Sequence, residues 1–244
     1  DFCSRIGITK KNSSIEMGVL EHSIREELNL AAKRVMGVLD PLKITITNYP
    51  KNENEKIFAP NNPNNKDDGQ RTISISKDIF IDRNDFMEKP EKKYFRLAPG
   101  KEVRLRHAFN ITCNEVIKDD KENIVELKCT YDPVSRDMSK GNKVKGMIHW
   151  VDANNCINAQ VNIYDRLFLN TNPKSLDDFN QESLIEKKNA KIEKNIDEIN
   201  INEKYQFERV GYFIKDNQLS DEHIVFNKIV SLKDSWKKIS KKGA

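Results

Sequence analysis

The chain has 244 residues, 37% hydrophobic and 33% charged, which suits one large or two modest domains with a core of their own. No run of about 18 apolar residues exists, so no membrane-spanning helix is expected. The 42 Lys and Arg against 38 Asp and Glu leave a net charge of only +4, so any anion-binding surface must come from local clustering.

The opening DFCSRIG has no initiator Met and no leader pattern, and it reads as a point inside a longer protein. Residues 1–30 read as helical. Gly7 can end a first helix, Ser13 and Glu16 offer a capping box, and Met17, Leu20, Ile24 and Leu28 form an apolar stripe at helical spacing. Arg25, Glu26 and Glu27 fall on the expected solvated face.

The periodicity changes at Arg34. Residues 34–38 and 43–47 read as strands around Asp40-Pro41. Residues 50–70, rich in Asn, Pro, Lys and Asp, read as a loop holding a short strand at Lys56–Ala59, and another strand pair covers 72–76 and 79–81.

From Lys101 the pattern alternates. Val103, Leu105, Phe109 and Ile111 fall on one face, with Glu102, Arg104, Arg106 and Asn110 on the other. On a strand, Arg104 and Arg106 would sit roughly 7 Å apart, near the spacing of neighbouring phosphates. Upstream, Lys92, Lys93, Arg96 and Lys101 surround Tyr94 and Phe95, with Pro99-Gly100 as a turn. Basic groups interleaved with aromatics suit a polyanion carrying flat bases, although an amphipathic strand showing arginines to water has the same pattern.

Further strands are expected at 103–116, 124–130, 144–151 and 159–168, and again at 205–213 and 224–230. Close strands with short turns suggest small antiparallel barrels. Residues 186–201, charged and Asn-rich, read as a mobile, partly helical surface segment, and the Lys-rich end should fray.

Little in the chain speaks for catalysis. Cys3, Cys113, Cys129 and Cys156 have no CxxC spacing, and His22, His107, His149 and His223 form no metal motif, so neither zinc nor a disulfide framework is expected. The sequons at Asn12 and Asn110 read as chance. Met138-Ser139-Lys140 matches the heart of a phosphate-stabilising signature, yet it lies between barrel strands without the partner motif or a nucleotide-binding sheet. Asp67-Asp68 and Asp119-Asp120 sit beside lysines as turn formers. Gln206-Phe207-Glu208-Arg209 is more promising. On a strand, Gln206 and Glu208 share a face, and a Gln amide can pair with the edge of a pyrimidine, although an exposed Gln is also ordinary.

The stretches FCSRIGITKKNSSIEMGVLEHSIREELN, RVMGVLDPLKITITNY, FIDRNDF, RLAPGKEVRLRHAF, CTYDP, KVKGMIHWV, YDRLF and YQFERVGYF, in this order, resemble the glutaminyl-tRNA synthetase family from beyond its catalytic site to its C-terminus. The resemblance implies a mainly β fold, with two tandem antiparallel β-barrels preceded by a short helical segment. It places a helical linker at 1–33, a discontinuous proximal barrel at 34–92 plus 185–244, and an inserted distal barrel at 93–184.

The resemblance also implies that the barrels grip the anticodon loop of glutamine tRNA and hold three unstacked bases. The positions matching the family's readers are Arg34, Pro60, Asn61, Lys93, Arg96, Arg104, Arg106, Gln206 and Arg209. Gln206 with Arg34 suits the middle U, Arg96 the third G, and Arg104 the O2 shared by C and U, with Arg106 on phosphate or bracing the loop. Bacterial members carry Lys at Phe95 and Gln at Lys93, and Phe95 can instead stack on a base. ATP and magnesium would act in the full-length ligase upstream of residue 1, with no catalytic or metal-binding residue here. A cytoplasmic, monomeric protein joined to an upstream catalytic domain is expected. A eukaryotic-type glutamyl-tRNA synthetase, a non-synthetase RNA-binding barrel or a protein-interaction barrel are the competing readings.

Overall fold

The computed structural model describes residues 2–8, 10, 15, 17–50, 53–137, 139–170, 172–194, 203–216 and 224–233. Helix α1 (Phe2–Ile6) ends at Gly7, whose φ of 73° and N–H to the Cys3 carbonyl form the expected cap. Helix α2 (Met17–Ala31) packs Ile24 and Leu28, with Ala32, against Tyr212 and Val230. Arg25, expected in solvent, is buried beside Glu21 instead. The capping box at Ser13 and Glu16 lies outside the described residues.

The strands are β1 (Lys33–Val35), β2 (Gly37–Val38), β3 (Pro41–Ile46), β4 (Glu55–Pro60), β5 (Gln70–Ile75), β6 (Asp78–Asp82), β7 (Glu102–Leu105) and β8 (Asn110–Lys118). They continue as β9 (Ile124–Asp132), β10 (Met147–Ile148), β11 (Trp150–Asp152), β12 (Cys156–Tyr164), β13 (Leu184–Glu193), β14 (Lys204–Phe207), β15 (Gly211–Lys215) and β16 (Val225–Ser231).

Two sheets result, each closing on itself through one short segment. The first runs β1-β14-β15-β16-β12-β13-β2. Its edges β1 and β2 are consecutive in the chain, so residues 33–38 reach β14 on one side and β13 on the other. The second runs β10-β7-β8-β9-β3-β6-β11, and residues 147–152 close it in the same way, with His149 at the switch between β7 and β6. Closure removes the unpaired edges that an open sheet leaves exposed. Gly37 is required at the first closing segment, because a Cβ there would lie 2.9 Å from the Phe207 ring. The ribbon β4-β5 stands apart from both sheets.

Alternation sets the cores. In β3 the pattern buries Leu42, Ile44 and Ile46, and in β7 Val103 and Leu105. These join Phe109, Ile111, Trp150 and the apolar face of the β4-β5 ribbon in one cluster. Tyr205, Phe207, Phe213 and Phe226 fill the first barrel, with Phe207 and Phe213 stacked 4.2 Å apart.

The mainly β, two-barrel fold is the one expected, but the sheets divide the chain differently from the expected boundaries. Strand β12, assigned to the distal unit, pairs in the first sheet with β13 and β16. Strands β3 and β6, assigned to the proximal unit, pair in the second. The expected mobile segment 186–201 is corrected over its first half. Residues 186–193 belong to β13, which buries Ala190, Ile192 and Glu193, and residues 195–201 lie outside the described residues. Alternation is weak there because residues 184–189 are exposed or half-buried on both faces, and Glu193 is buried on the face opposite Ala190 and Ile192. The expected strand 103–116 is two strands, separated by a turn in which His107 adopts a φ of 64°. Among the described residues no helix is long and apolar enough to cross a membrane.

Candidate nucleic-acid interface

Seven of the nine sequence-predicted residues, all but Lys93 and Arg104, fall into three groups where the barrels meet. The first group is built on β1 and β14, where Arg34 stands directly opposite Gln206 in a parallel register. The Arg34 N–H donates to the Asn61 carbonyl at 3.0 Å, which ties the loop after β4 to the closing segment. The Asn61 side chain in turn donates to the Asp68 carbonyl at 2.8 Å, steadying that loop.

Arg34 is only 2% exposed. Its guanidinium turns back on the end of α2 and donates to the carbonyls of Ala32 at 2.5 Å and Asn29 at 2.6 Å, and to Asn29 Oδ1 at 2.9 Å. A guanidinium there satisfies last-turn carbonyls and complements the helix dipole. Burial pushes the Arg34 pKa down, against the pull of Tyr212, Glu208 and Asp68. Gln206 Nε2 donates to Tyr212 Oη at 2.8 Å, and that hydroxyl donates to Asn29 Oδ1 at 3.4 Å. Among the described residues the Gln206 carbonyl oxygen keeps no partner, so the amide is held by its donor end and offers its acceptor.

The second group surrounds Asp85, which is 2% exposed at the end of the 3-10 turn Arg83–Asp85. Arg209 donates to it as a fork, at 2.6 and 2.9 Å, and Arg96 Nε lies 3.3 Å away. Arg96 also donates to the Asn84 carbonyl at 2.8 Å, yet its side chain stays well exposed. His149 Nδ1 accepts from Arg209 at 2.9 Å. Arg209 is not on a strand face as expected. Strand β14 ends at Phe207, and Arg209 takes a φ of 69° in the turn.

The third group joins the barrels. Glu208, 3% exposed, accepts from Arg71 of the β4-β5 ribbon at 2.7 Å and from Arg106 of the second barrel, with His107 Nε2 at 3.4 Å. Arg71 also donates to Glu193 at 2.6 Å and to the Pro60 carbonyl at 2.5 Å. Burial alone would raise the Glu208 carboxyl, but His107, Arg106 and Arg71 overcome it and hold it at about 2. Burial opposes the Arg71 charge too, and Glu193 with Glu208 keeps it above its usual value. Arg106 is therefore a partner of Glu208 in the turn after β7, not a free cation on a strand face.

Arg104 remains on β7. It donates to the Ser135 carbonyl at 2.8 Å, the Ala108 carbonyl at 2.9 Å and Asn110 Oδ1 at 3.4 Å. Three of its five N–H groups are thus engaged, and burial lowers its pKa. Its backbone N–H meets the Gly146 carbonyl at 2.9 Å. A Cβ on Gly146 would lie 2.1 Å from the Phe95 carbonyl, so only glycine lets the loop after residue 136 approach this closely. Phe95 is 52% exposed with Lys145 Nζ 5.4 Å from its ring. Lys93 is exposed in the same bend with a φ of 69°, outside these groups.

Continuity in the chain links the groups. Gln206, Glu208 and Arg209 lie within four residues, and Arg104 and Arg106 are two apart. Sequence reasoning missed Asn29, Arg71, Asp85, His149, Glu193 and Tyr212, which hold these side chains in place. Their signal was present only as charged or polar residues inside apolar stretches.

Two family profiles, both described as tRNA synthetases class I (E and Q), anti-codon binding domain, match residues 32–132 and 147–216. The chain belongs to this family. It is similar to proteins named glutamine–tRNA ligase from Clostridium perfringens, 46% identical over 97% of this chain, and Serratia proteamaculans, 46% over 98%. A third, from Bradyrhizobium diazoefficiens, is 43% identical over the whole chain. The chain spans 44% of the length of each. This anticodon-binding region therefore carries its two family domains mostly on opposite sides of the 133–146 loop. The Met-Ser-Lys match in that loop folds on itself, with Ser139 donating to Asp137 at 2.6 Å and Lys140 3.5 Å from the same carboxylate. Met138 lies outside the described residues.

Proposed function

We propose that this chain is the anticodon-reading part of a longer glutamine–tRNA ligase, and that it holds the three unstacked anticodon bases of glutamine tRNA along the seam between its barrels. The observation that carries this is the Arg34–Gln206 register with the Asp85-centred pair Arg96 and Arg209, of which Arg209 lies three residues after Gln206. The free acceptor of Gln206 suits the N3–H of the middle U. Arg34 serves that base through Asn29 and Tyr212, which fix the amide, more than by direct contact. Arg96, exposed and tethered, suits the acceptor edge of the third G. The two uncommitted donors of Arg104 suit the O2 shared by C and U. Arg106, neutralised by Glu208, braces the turn, and Pro60, Asn61 and Arg209 support the pockets. Exposed Lys93 suits a phosphate and exposed Phe95 suits a stacked base.

In the whole ligase, ATP and magnesium would supply the activated amino acid. Among the described residues no three His, Cys, Asp or Glu are arranged to hold an ion. The sites for ATP and magnesium are expected outside this chain, in a catalytic domain joined to it, in a cytoplasmic, single-copy protein. Two measurements test the reading. The chain alone should bind a glutamine anticodon stem-loop in preference to other anticodons, and binding should weaken steeply with salt. With ATP, glutamine and the tRNA it should give no charging. Equal binding to all anticodons would overturn the proposal, and turnover would show that the active site is misplaced.

A further inference from the structure

We propose that Asp85 and His149 are positioning residues for base reading: both clamp Arg209, and Asp85 also tethers Arg96, so that the guanidinium edge Arg96 offers to RNA is fixed before RNA arrives. The inference rests on the anticodon-binding reading. Asp85 is buried and engages both arginines, forking onto Arg209 at 2.6 and 2.9 Å and standing 3.3 Å from Arg96 Nε. Arg209 NH1 also reaches His149 Nδ1 at 2.9 Å. An arginine can only donate, so Nδ1 must be the acceptor and His149 must be neutral with its proton on Nε2.

The fold explains why His149 can play this part. It sits at the switch between β10 and β11, where the closing segment leaves β7 and joins β6, and its ring is buried. The charged groups around it are Asp85, Arg209, Asp82 and Glu208, with Arg96 beyond Asp85. Burial, and the Arg209 charge with it, disfavours a second cation, while Asp85 pulls the other way; the net direction is down. A proton on Nδ1 would point at the NH1 donor, so protonation must push Arg209 off one of its two supports. Fixed guanidinium geometry is what distinguishes the acceptor edge of G from other bases, because a loose cation meets any anion equally.

The test uses the 244-residue chain and four anticodon stem-loops that differ only in the third base, titrated by fluorescence anisotropy between pH 5 and 7.5. The natural chain should prefer G at pH 7.5, and this preference should shrink as the pH falls below the ordinary histidine range. In His149→Gln the pH dependence should vanish. In Asp85→Asn the preference for G should drop about tenfold, while discrimination at the middle base, read by Gln206, stays. Asp85→Glu should restore part of it. If Asp85→Asn does not fold, the pH profile of the natural chain decides. A preference for G that is flat with pH and unchanged in His149→Gln would overturn the positioning role. No preference for the glutamine anticodon at any pH would instead overturn the proposed function.

Discussion

Replacing Glu208 by Gln removes one negative charge from a point where both barrels and the β4-β5 ribbon converge. The natural carboxylate takes Arg71 at 2.7 Å, Arg106, and His107 at 3.4 Å, while being 3% exposed. Its pKa of about 2 against an ordinary 4.5 corresponds to about 3 kcal/mol of stability at neutral pH. Breaking a buried pair by removing one partner costs about 3–5 kcal/mol. The amide oxygen of Gln still accepts one hydrogen bond, and Arg71 keeps Glu193 at 2.6 Å. The expected loss is therefore about 2–4 kcal/mol at pH 7. The sign with pH follows from the depressed value. This contribution is complete above the unfolded carboxyl pKa and is lost as the pH falls from about 4.5 towards about 2. Urea unfolding followed by tryptophan fluorescence measures it directly, since Trp150 Nε1 donates to the Arg106 carbonyl at 2.9 Å beside this carboxylate. The variant should lose stability at pH 7 and show a flatter profile between pH 4.5 and 2. A change at pH 7 below about 0.5 kcal/mol, the ordinary scale for a surface substitution, would refute the claim that Glu208 joins the barrels.

Arg104→Ala should weaken binding of the glutamine anticodon stem-loop by about 1–3 kcal/mol, the range for one charged base contact; unchanged affinity by anisotropy would show that its donors serve only Ser135, Ala108 and Asn110. Gln206→Ala should relax discrimination at the middle base more than it lowers affinity, read as the ratio of binding constants for U and C hairpins. Gly146→Ala places a methyl 2.1 Å from the Phe95 carbonyl and should cost about 1–3 kcal/mol by overpacking, visible as a lowered unfolding midpoint. Tyr212→Phe removes the hydroxyl between Asn29 and Gln206 and should lower middle-base discrimination with little effect at the third base, measured in the same hairpin series.

The barrels were legible because their strands alternate. Leu42, Ile44 and Ile46, or Val103 and Leu105, announce an inward face at period two. What alternation cannot show is which strand pairs with which. Strand β3 lies between β9 and β6 only because a parallel pairing brings Ile44 beside Leu127 across a long stretch of chain. Strand β13 was hidden for a different reason. Its residues 184–189 are exposed or half-buried on both faces, and Glu193 is buried on the face opposite Ala190 and Ile192, with its partner Arg71 122 residues away. A buried charge looks like solvent exposure until its counter-ion is known.

The same physics separates the legible part of the site from the rest. Gln206, Arg96 and Arg104 were singled out because they are polar residues on predicted strands or turns beside basic neighbours. The groups that hold them were not, since Asp85, Tyr212 and His149 act from within the interior. Arg34 shows the consequence. Read from sequence it is a cation for a base, but its guanidinium is spent on Asn29 and Ala32 at the end of α2. Its charge thus sets the Asn29–Tyr212–Gln206 chain, at whose end the Gln206 carbonyl oxygen has no partner among the described residues. A base reader in this fold is recognised by the hydrogen-bonding capacity that remains after the protein's own demands are met. By that measure Gln206 and Arg96 keep capacity for RNA, while Arg34 has turned its terminal nitrogens to the frame and Arg106 has given its charge to Glu208.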